Sequence, residues 1–513
     1  MSEGTKKAVF LMLDGWGHSS SWSGNSIKMS KLANYENLLK EYPSFLLKTE
    51  LSDPVRYSSS VCNARISAGR EVVNDSTYLN SCLGSNLANN KVFKGITTQC
   101  RDHGTALHLI GTVDVDEQFS SISYIEQLLK NAKAQNVHKV YLHLIIKGKE
   151  KSKDIISIIN NLEAVISRVG IGRISSFFGS DYVSSSGINY KTNEIFKLLT
   201  LSRAEMALDP VVSINNYYKK GFYNNSLPAT IITDQGRSPS KVNDFDSIIF
   251  FDRVDHYADK IMFMFASSLL RKKAALPCYL KIAKLIENSI NDSSIGEIIF
   301  NREVIENTLP ELLSDAGLKQ LYLTENISSY QTTKAFSGFS NQPFAGSMWK
   351  IVPSVENSLF ESTPELSIGN IASVAANEII KSEFDFIMIT LPNADLFSHL
   401  GSIKLAATAV LIIDKFIGYI TKLCAKAGYT LFISSDHGAC EEINSTEKYR
   451  LNVHTKNPVP FIIVDDRLKN VDALSSVSDL IKIENDVFDI VPTILRYFEI
   501  KKPSTMHGKS LIM

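Results

Sequence analysis

Asp14, Ser59, Asp395, His399, Asp436, His437 and His454 supply three carboxylates, three imidazoles and one hydroxyl, spread along nearly the whole chain. Carboxylate oxygen and imidazole nitrogen together suit zinc, manganese or a similar divalent cation. A serine among them is a hydroxyl that bound cations convert into a nucleophile. That is the inventory of a two-metal phosphoryl-transfer site, so the chain reads as an enzyme. It does not name the substrate. Taken singly, the motifs have plain readings. Asp14, in Leu13-Asp-Gly-Trp-Gly17, alone is a turn or cap aspartate. His454, in Asn452-Val-His-Thr-Lys-Asn-Pro458, alone is a structural loop histidine. Asp395 and His399 stand one helical turn apart, and Asp436-His437-Gly438 offers adjacent ligands after a strand. Four separated segments, each with ligands at a strand end or in a short loop, are more than an ordinary fold produces by chance. The other histidines (His18, His103, His108, His138, His143, His256 and His507) show no such grouping and read as structural or solvated.

The elements that must position these groups alternate as an α/β protein does. Strands are expected at Ala8–Leu13 and Leu46–Thr49, with a helix over Met29–Tyr42 between them. A second set of units has strands at Ala106–Gly111, Lys139–Leu144, Arg173–Phe178, Ala229–Thr233 and Ser247–Phe251, with helices over Ser123–Gln135 and Ile155–Gly170. A third block has buried strands at Asp385–Leu391, Tyr429–Ser434 and Val459–Val464 and a long helix over Ala406–Lys426. Open parallel sheets bind ligands at the carboxyl ends of their strands, where the motifs fall. The first and third blocks both supply ligands, so they must form one domain. The expected division is residues 1–75 with 313–513 as a discontinuous metal-binding domain, and 76–312 as an inserted second domain. Two neighbouring crossings make a natural hinge, whose closure would exclude water.

At 513 residues the chain exceeds one ordinary core. Its 44% hydrophobic and 21% charged content is that of a globular protein, and 54 basic residues balance 54 acidic ones. No global field favours nucleic acid or an anionic membrane, so neither is an expected partner. The apolar run at Ala8–Leu13 is too short for a signal peptide or a span. Six sparse cysteines without paired spacing fit reduced thiols in the cytoplasm.

Many ordered stretches carry a further likeness. They include Leu13-Asp-Gly-Trp-Gly17, Gly24-Asn25, Glu41-Tyr-Pro43, Ala68-Gly-Arg70, Ala106-Leu-His-Leu-Ile-Gly111, Phe336-Ser-Gly338, Asp436-His-Gly438, Asn457-Pro-Val-Pro460, Val491-Pro-Thr-Ile494 and His507-Gly-Lys-Ser-Leu511. Through them the chain resembles the cofactor-independent (2,3-bisphosphoglycerate-independent) phosphoglycerate mutases of the alkaline-phosphatase superfamily. The resemblance implies an α/β fold: an alkaline-phosphatase-like parallel-sheet domain with an inserted second α/β domain that handles substrate and phosphotransfer. It implies two divalent cations, manganese first, with magnesium, cobalt or zinc as alternatives. One would be held by Asp395, His399 and His454, the other by Asp14, Ser59, Asp436 and His437. Ser59 is placed within the Ser58-Ser-Ser60 run by counting back from Ala68-Gly-Arg70. In the family this serine takes the phosphoryl group and returns it to the other hydroxyl of glycerate, a step of glycolysis. A cytoplasmic monomer acting on a small phosphorylated metabolite is the corresponding expectation.

The substrate half departs from that pattern. Tyr57-Ser58 and Ser60-Val61-Cys62-Asn63 stand where the family has Gly-Asn and Glu-Val-Gly-His, and Asp114–Phe119 lacks the family's histidine. Lys147-Gly-Lys-Glu150 replaces Asp-Gly-Arg-Asp, two arginines become Ser180 and Ser186, an arginine pair is reduced to Arg253, and a lysine becomes Ser328. Lys149, Glu150 and Arg253 are therefore the remaining substrate-binding candidates, with Arg65, Arg173 and Lys147 as displaced cations that compensate. Each lost charge-assisted bond costs about 1.5–3 kcal/mol. Three readings follow: mutase with a rebuilt pocket, a metal-dependent phosphatase or phosphomutase on another phosphorylated small molecule, or a non-catalytic relative.

Overall fold

The computed structural model describes residues 6–49, 58–113, 118–148, 153–184, 190–234, 241–252, 257–266, 277–287, 296–355, 362–443, 454–470 and 485–512. The chain divides into two compact units, Met1–Asn74 with Glu303–Met513, and Asp75–Arg302.

The first unit holds an eight-stranded sheet in the order Ser347–Val352, Gln320–Glu325, Phe386–Leu391, Ala8–Leu13, Thr430–Ser434, Val459–Val464, Ser44–Lys48, Asn485–Asp486. Neighbours are parallel from Ser347–Val352 to Thr430–Ser434, whereas Val459–Val464 runs against the strands on either side of it. Ala8–Leu13 is buried along its whole length because both faces are covered. Val9, Leu11 and Leu13 enter one apolar cluster, and Ala8, Phe10 and Met12 the other. Uninterrupted apolar residues are what a central parallel strand requires. Its partners on the two sides, Phe386–Leu391 and Thr430–Ser434, are joined by the helix Ile403–Ala427. Ser402 caps that helix by accepting from Leu405 N, and Gly428 ends it at φ 75°. Its Val410, Ile413, Phe416, Ile417, Ile420 and Cys424 face the sheet, each large side chain contributing about 1.5–3 kcal/mol of burial.

The second unit has its own eight-stranded sheet: Glu297–Phe300, Lys281–Ile286, Ser247–Phe250, Leu107–Val113, Val140–Ile146, Arg173–Gly179, Thr230–Ile232, Glu205–Ala207. Only the pairing of Arg173–Gly179 with Thr230–Ile232 is antiparallel. Leu107, Leu109 and Val113 pack on one face and Ile110 on the other.

Two sequence expectations need correction. The second crossing falls at 302/303 rather than 312/313, because Leu309 and Leu313 of the helix Leu309–Asp315 are buried in the first unit's core beside Tyr322 and Phe336. The helix expected over Met29–Tyr42 is broken into Ser26–Met29 and Ala33–Glu41. Ser30 is extended there, and its hydroxyl bonds the carbonyl of Ser26 at 2.8 Å. Among the described residues no helix is long and apolar enough to cross a membrane.

Candidate metal centre

Three adjacent strand ends, one helix start and one loop of the first unit deliver the seven side chains. Asp14 follows Ala8–Leu13, and its N–H donates to Leu391 O at 3.1 Å. Gly15 then turns at φ 77°, where a Cβ would lie 2.7 Å from the Asp395 Cα, so glycine lets the neighbouring segment close in. Asp395 N returns a bond to Asp14 O at 3.0 Å. Asp395 lies on the short helix Asn393–Ser398, with His399 as its C-cap. Asp436 and His437 follow Thr430–Ser434, and a bridge between Gly438 and Thr455 brings His454 alongside. Ser59 is the first residue of the helix Ser59–Ala68, capped by Ser58.

These groups converge. One ligand atom each from Asp395, His399 and His454 lies within 4.8 Å of the others, and the same holds for Asp14, Asp395 and His437. His399 Nε2 is 2.9 Å from Asp395 Oδ2, and His437 Nε2 is 3.2 Å from Asp14 Oδ1 and 3.5 Å from Asp436 Oδ2. The His437 and His454 rings stack at 3.5 Å between centroids. Ser59 Oγ stands 3.0 Å from His437 Nε2. Asp395 thus borders both groups, where the family pattern gives it to one.

The electrostatics suit cations. Burial raises the Asp436 carboxyl well above the usual range, and the Asp14 charge adds to this. Burial pulls the His437 imidazole down, but Asp436, Asp14 and Asp395 outweigh it and hold it at about 10. Burial pushes the Asp395 carboxyl up, and His399, His437 and His454 together bring it well below the carboxylate norm. A cluster anionic enough to keep a proton on a fully buried imidazole also favours a divalent cation. Asp395 Oδ1 is buried and accepts no hydrogen bond, and Asp14 Oδ1 is buried 3.2 Å from His437 Nε2. Oxygen and nitrogen donors of this kind, with a buried carboxylate oxygen left without a hydrogen bond at Asp395, fit divalent metal.

Three supporting residues escaped the sequence reading. Asn63 donates from Nδ2 to Asp436 Oδ2 and to the Ser59 carbonyl, both at 2.9 Å. It lies four residues after Ser59 on the same helix face, a spacing that offered a signal. Gln331, opening the π-helical turn Gln331–Ala335, donates to Asp14 Oδ2 at 2.5 Å. Nothing in its sequence context marks it. Glu441 is fully buried and accepts from Gly17 N at 3.0 Å and Ala439 N at 2.8 Å. Replacing Gln331 by leucine should weaken Mn²⁺ binding at Asp14 by about 10- to 100-fold, measured by calorimetric titration. Unaltered affinity would show that Asp14 needs no such partner.

The substrate candidates Lys149, Glu150 and Arg253, together with Ser186, lie outside the described residues. Arg65 does not serve as a displaced cation. Its guanidinium is buried, donating to Glu71 Oε2 at 2.7 Å and to Thr49 O at 2.9 Å, and it lies 5.1 Å over the Phe488 ring. Arg173 Nη1 pairs with Asp234 at 3.2 Å. Ser328 Oγ is 2.6 Å from Thr324 Oγ1. Away from the centre, His108 and His143 are buried at 2.9 Å from each other, flanked by Asp246 and Ser176, a satisfied network inside the second unit.

A family model described as Metalloenzyme superfamily matches residues 6–502. The chain is 27% identical to a 2,3-bisphosphoglycerate-independent phosphoglycerate mutase of Moorella thermoacetica, over 98% of each chain. It is 28% identical to the enzyme of that name from Pyropia yezoensis, over 98% of this chain and 95% of that one. A crystal structure of Leishmania mexicana phosphoglycerate mutase at low cobalt concentration has a similar fold, with TM-score 0.78 and 16% identity over 99% of this chain and 98% of that one.

Proposed function

The chain belongs to the Metalloenzyme superfamily, and on that premise we propose that it interconverts 3-phosphoglycerate and 2-phosphoglycerate through a phosphoserine at Ser59. One observation carries the reading: the Ser59 hydroxyl stands 3.0 Å from His437 Nε2, inside a cluster of carboxylates and imidazoles. Asp395, His399 and His454 would hold one divalent cation, and Asp14, Asp436, His437 and Ser59 a second, with Mn²⁺ as first choice. When bound, such cations neutralise phosphate oxygens and lower the serine pKa.

The protein's own groups account for the rest. Asn63 fixes the Ser59 carbonyl and Asp436 together, so the nucleophile and a ligand share one support. Ser59 opens the helix Ser59–Ala68, and the N-terminal dipole there favours an anionic phosphoryl group. Ser59 Oγ bonds to phosphorus as the ester bond to the 3-hydroxyl oxygen breaks, and the serine proton ends on that oxygen. The reverse transfer to the 2-hydroxyl completes the isomerisation, so no co-reactant is consumed. The unit Asp75–Arg302 is assigned the substrate-holding role, and the cytoplasm and glycolysis are the setting this reading implies.

A second reading, hydrolysis of another small phosphate ester, is supported by the commitment of Arg65 to Glu71 and by Ser180 and Ser328 standing where the resemblance places cations. A mutase must retain glycerate while phosphate is parked on serine, and water otherwise finishes the reaction. The test is incubation of Mn²⁺-loaded protein with 3-phosphoglycerate and a panel of phosphate esters. The expected result is 2-phosphoglycerate without free phosphate. Phosphate released from other esters favours the second reading. Neither product from folded, metal-bound protein overturns both.

A further inference from the structure

Two glycines in the ligand motifs do not owe their identity to backbone conformation. Neither Gly17 nor Gly438 has a positive φ. What each lacks room for is a side chain. A Cβ on Gly17 would overlap the carboxylate carbon and both oxygens of Glu441, and one on Gly438 would overlap Glu441 Oε1 and Thr455 Oγ1. Both positions are therefore shaped around one buried carboxylate.

Glu441 is fully enclosed, and four donors converge on it. Oε2 accepts from Gly17 N at 3.0 Å and from Ala439 N at 2.8 Å. Oε1 accepts from the Thr455 hydroxyl and from Asn457 Nδ2, the latter at 2.9 Å. Gly17 lies in the turn after Asp14, Ala439 in the turn after His437, and Thr455 and Asn457 in the loop of His454. The first two turns are also joined through Gly15 O, which accepts from Ala439 N at 3.1 Å and Cys440 N at 3.0 Å. The His454 loop is joined to these turns through Glu441, through the bridge between Gly438 and Thr455, and through His18 N, which donates to Pro458 O at 2.7 Å.

We propose that Glu441 is the positioning residue that holds the two ligand groups in register, tying the Asp14 and His437 turns to the His454 loop. The proposal rests on the metal-binding reading of the centre. A carboxylate is suited to this place because it only accepts, and all four partners donate. Glutamine has the same shape but one accepting atom. Whichever way its amide is turned, its NH₂ meets either Gly17 N and Ala439 N or the Thr455 and Asn457 donors. A ligand loop is released in each case, and supporting shells of this kind set metal affinity.

The experiment uses full-length protein stripped with chelator, titrated with Mn²⁺ by calorimetry and with Co²⁺ by visible absorption. Glu441→Gln should weaken Mn²⁺ binding at both groups by about 10- to 100-fold and alter the Co²⁺ bands. Gly17→Ala and Gly438→Ala should do the same by displacing the carboxylate. Thr455→Val, which removes one donor, should weaken only the group containing His454. Wild-type Mn²⁺ affinity and an unchanged Co²⁺ spectrum in Glu441→Gln, even with a lower unfolding midpoint, would reduce Glu441 to a structural role and overturn the proposal. If Glu441→Gln does not fold, Thr455→Val decides: unchanged affinity overturns the proposal, and selective weakening supports it. Both readouts are taken without substrate, so a failed mutase assay leaves this result standing.

Discussion

Alanine at Ser59 should abolish phosphoryl transfer, lowering turnover by about 10⁴-fold or more, the scale on which a covalent nucleophile is lost. Folding should survive. Ser58, not Ser59, caps the helix Ser59–Ala68, accepting from Val61 N, so removing the Ser59 hydroxyl leaves the helix start intact. Mn²⁺ should still bind at Asp395, His399 and His454, none of which depends on Ser59. The neighbouring serines are the natural controls. Ser58 is extended and its hydroxyl accepts from Val61 N, and Ser60 points about 100° away from Ser59 around the helix, so neither stands in for Ser59. Ser60→Ala should therefore keep most activity. The assay is 2-phosphoglycerate formation, with acid-stable ³²P-labelling of the protein as a second readout. Normal turnover in Ser59→Ala, or its loss in Ser60→Ala, would move the nucleophile by a residue and break the link to His437.

The contrast between Ser59 and its supports shows what a sequence can carry. Ala8–Leu13 was legible to the residue because a strand covered on both faces has no polar positions to blur its limits. The helix Ile403–Ala427 was legible for a related reason, its apolar stripe being long and continuous. Gln320–Glu325 was not, since Gln320, Thr324 and Glu325 are polar and yet buried between neighbouring strands. Polar residues satisfied by tertiary partners leave no periodic signature. The candidate ligands could be singled out because metal chemistry restricts residue type so severely. Gln331 and Glu441 could not, and Asn63 only through its spacing from Ser59, since a supporting amide or carboxylate looks like any other until the partner is beside it. Gln331 lies 317 positions from Asp14 and Asn63 lies 373 from Asp436. Arg65 was misread for the same reason: its charge was visible, but its burial against Glu71 and Phe488 was not.

Asp395 should be the most costly ligand to lose. Asparagine there is expected to reduce Mn²⁺ binding by more than about 100-fold at both groups, beyond the effect of altering a supporting residue. The reason is its place: one group unites Asp395 with His399 and His454, the other unites it with Asp14 and His437. Its Oδ2 faces His399 at 2.9 Å, while Oδ1 is buried without a hydrogen bond. An amide keeps the shape but removes the charge and turns an NH₂ toward one of those directions, where a cation is repelled. His399→Ala is the matched comparison, because His399 belongs to one group only, and it should weaken a single binding step. Calorimetric titration of the two variants separates the cases. If Asp395→Asn weakens only the step that His399→Ala weakens, Asp395 serves one ion, as the family pattern has it. If both steps fall, the carboxylate couples the two cations, and the position of one is felt by the other through a side chain they share.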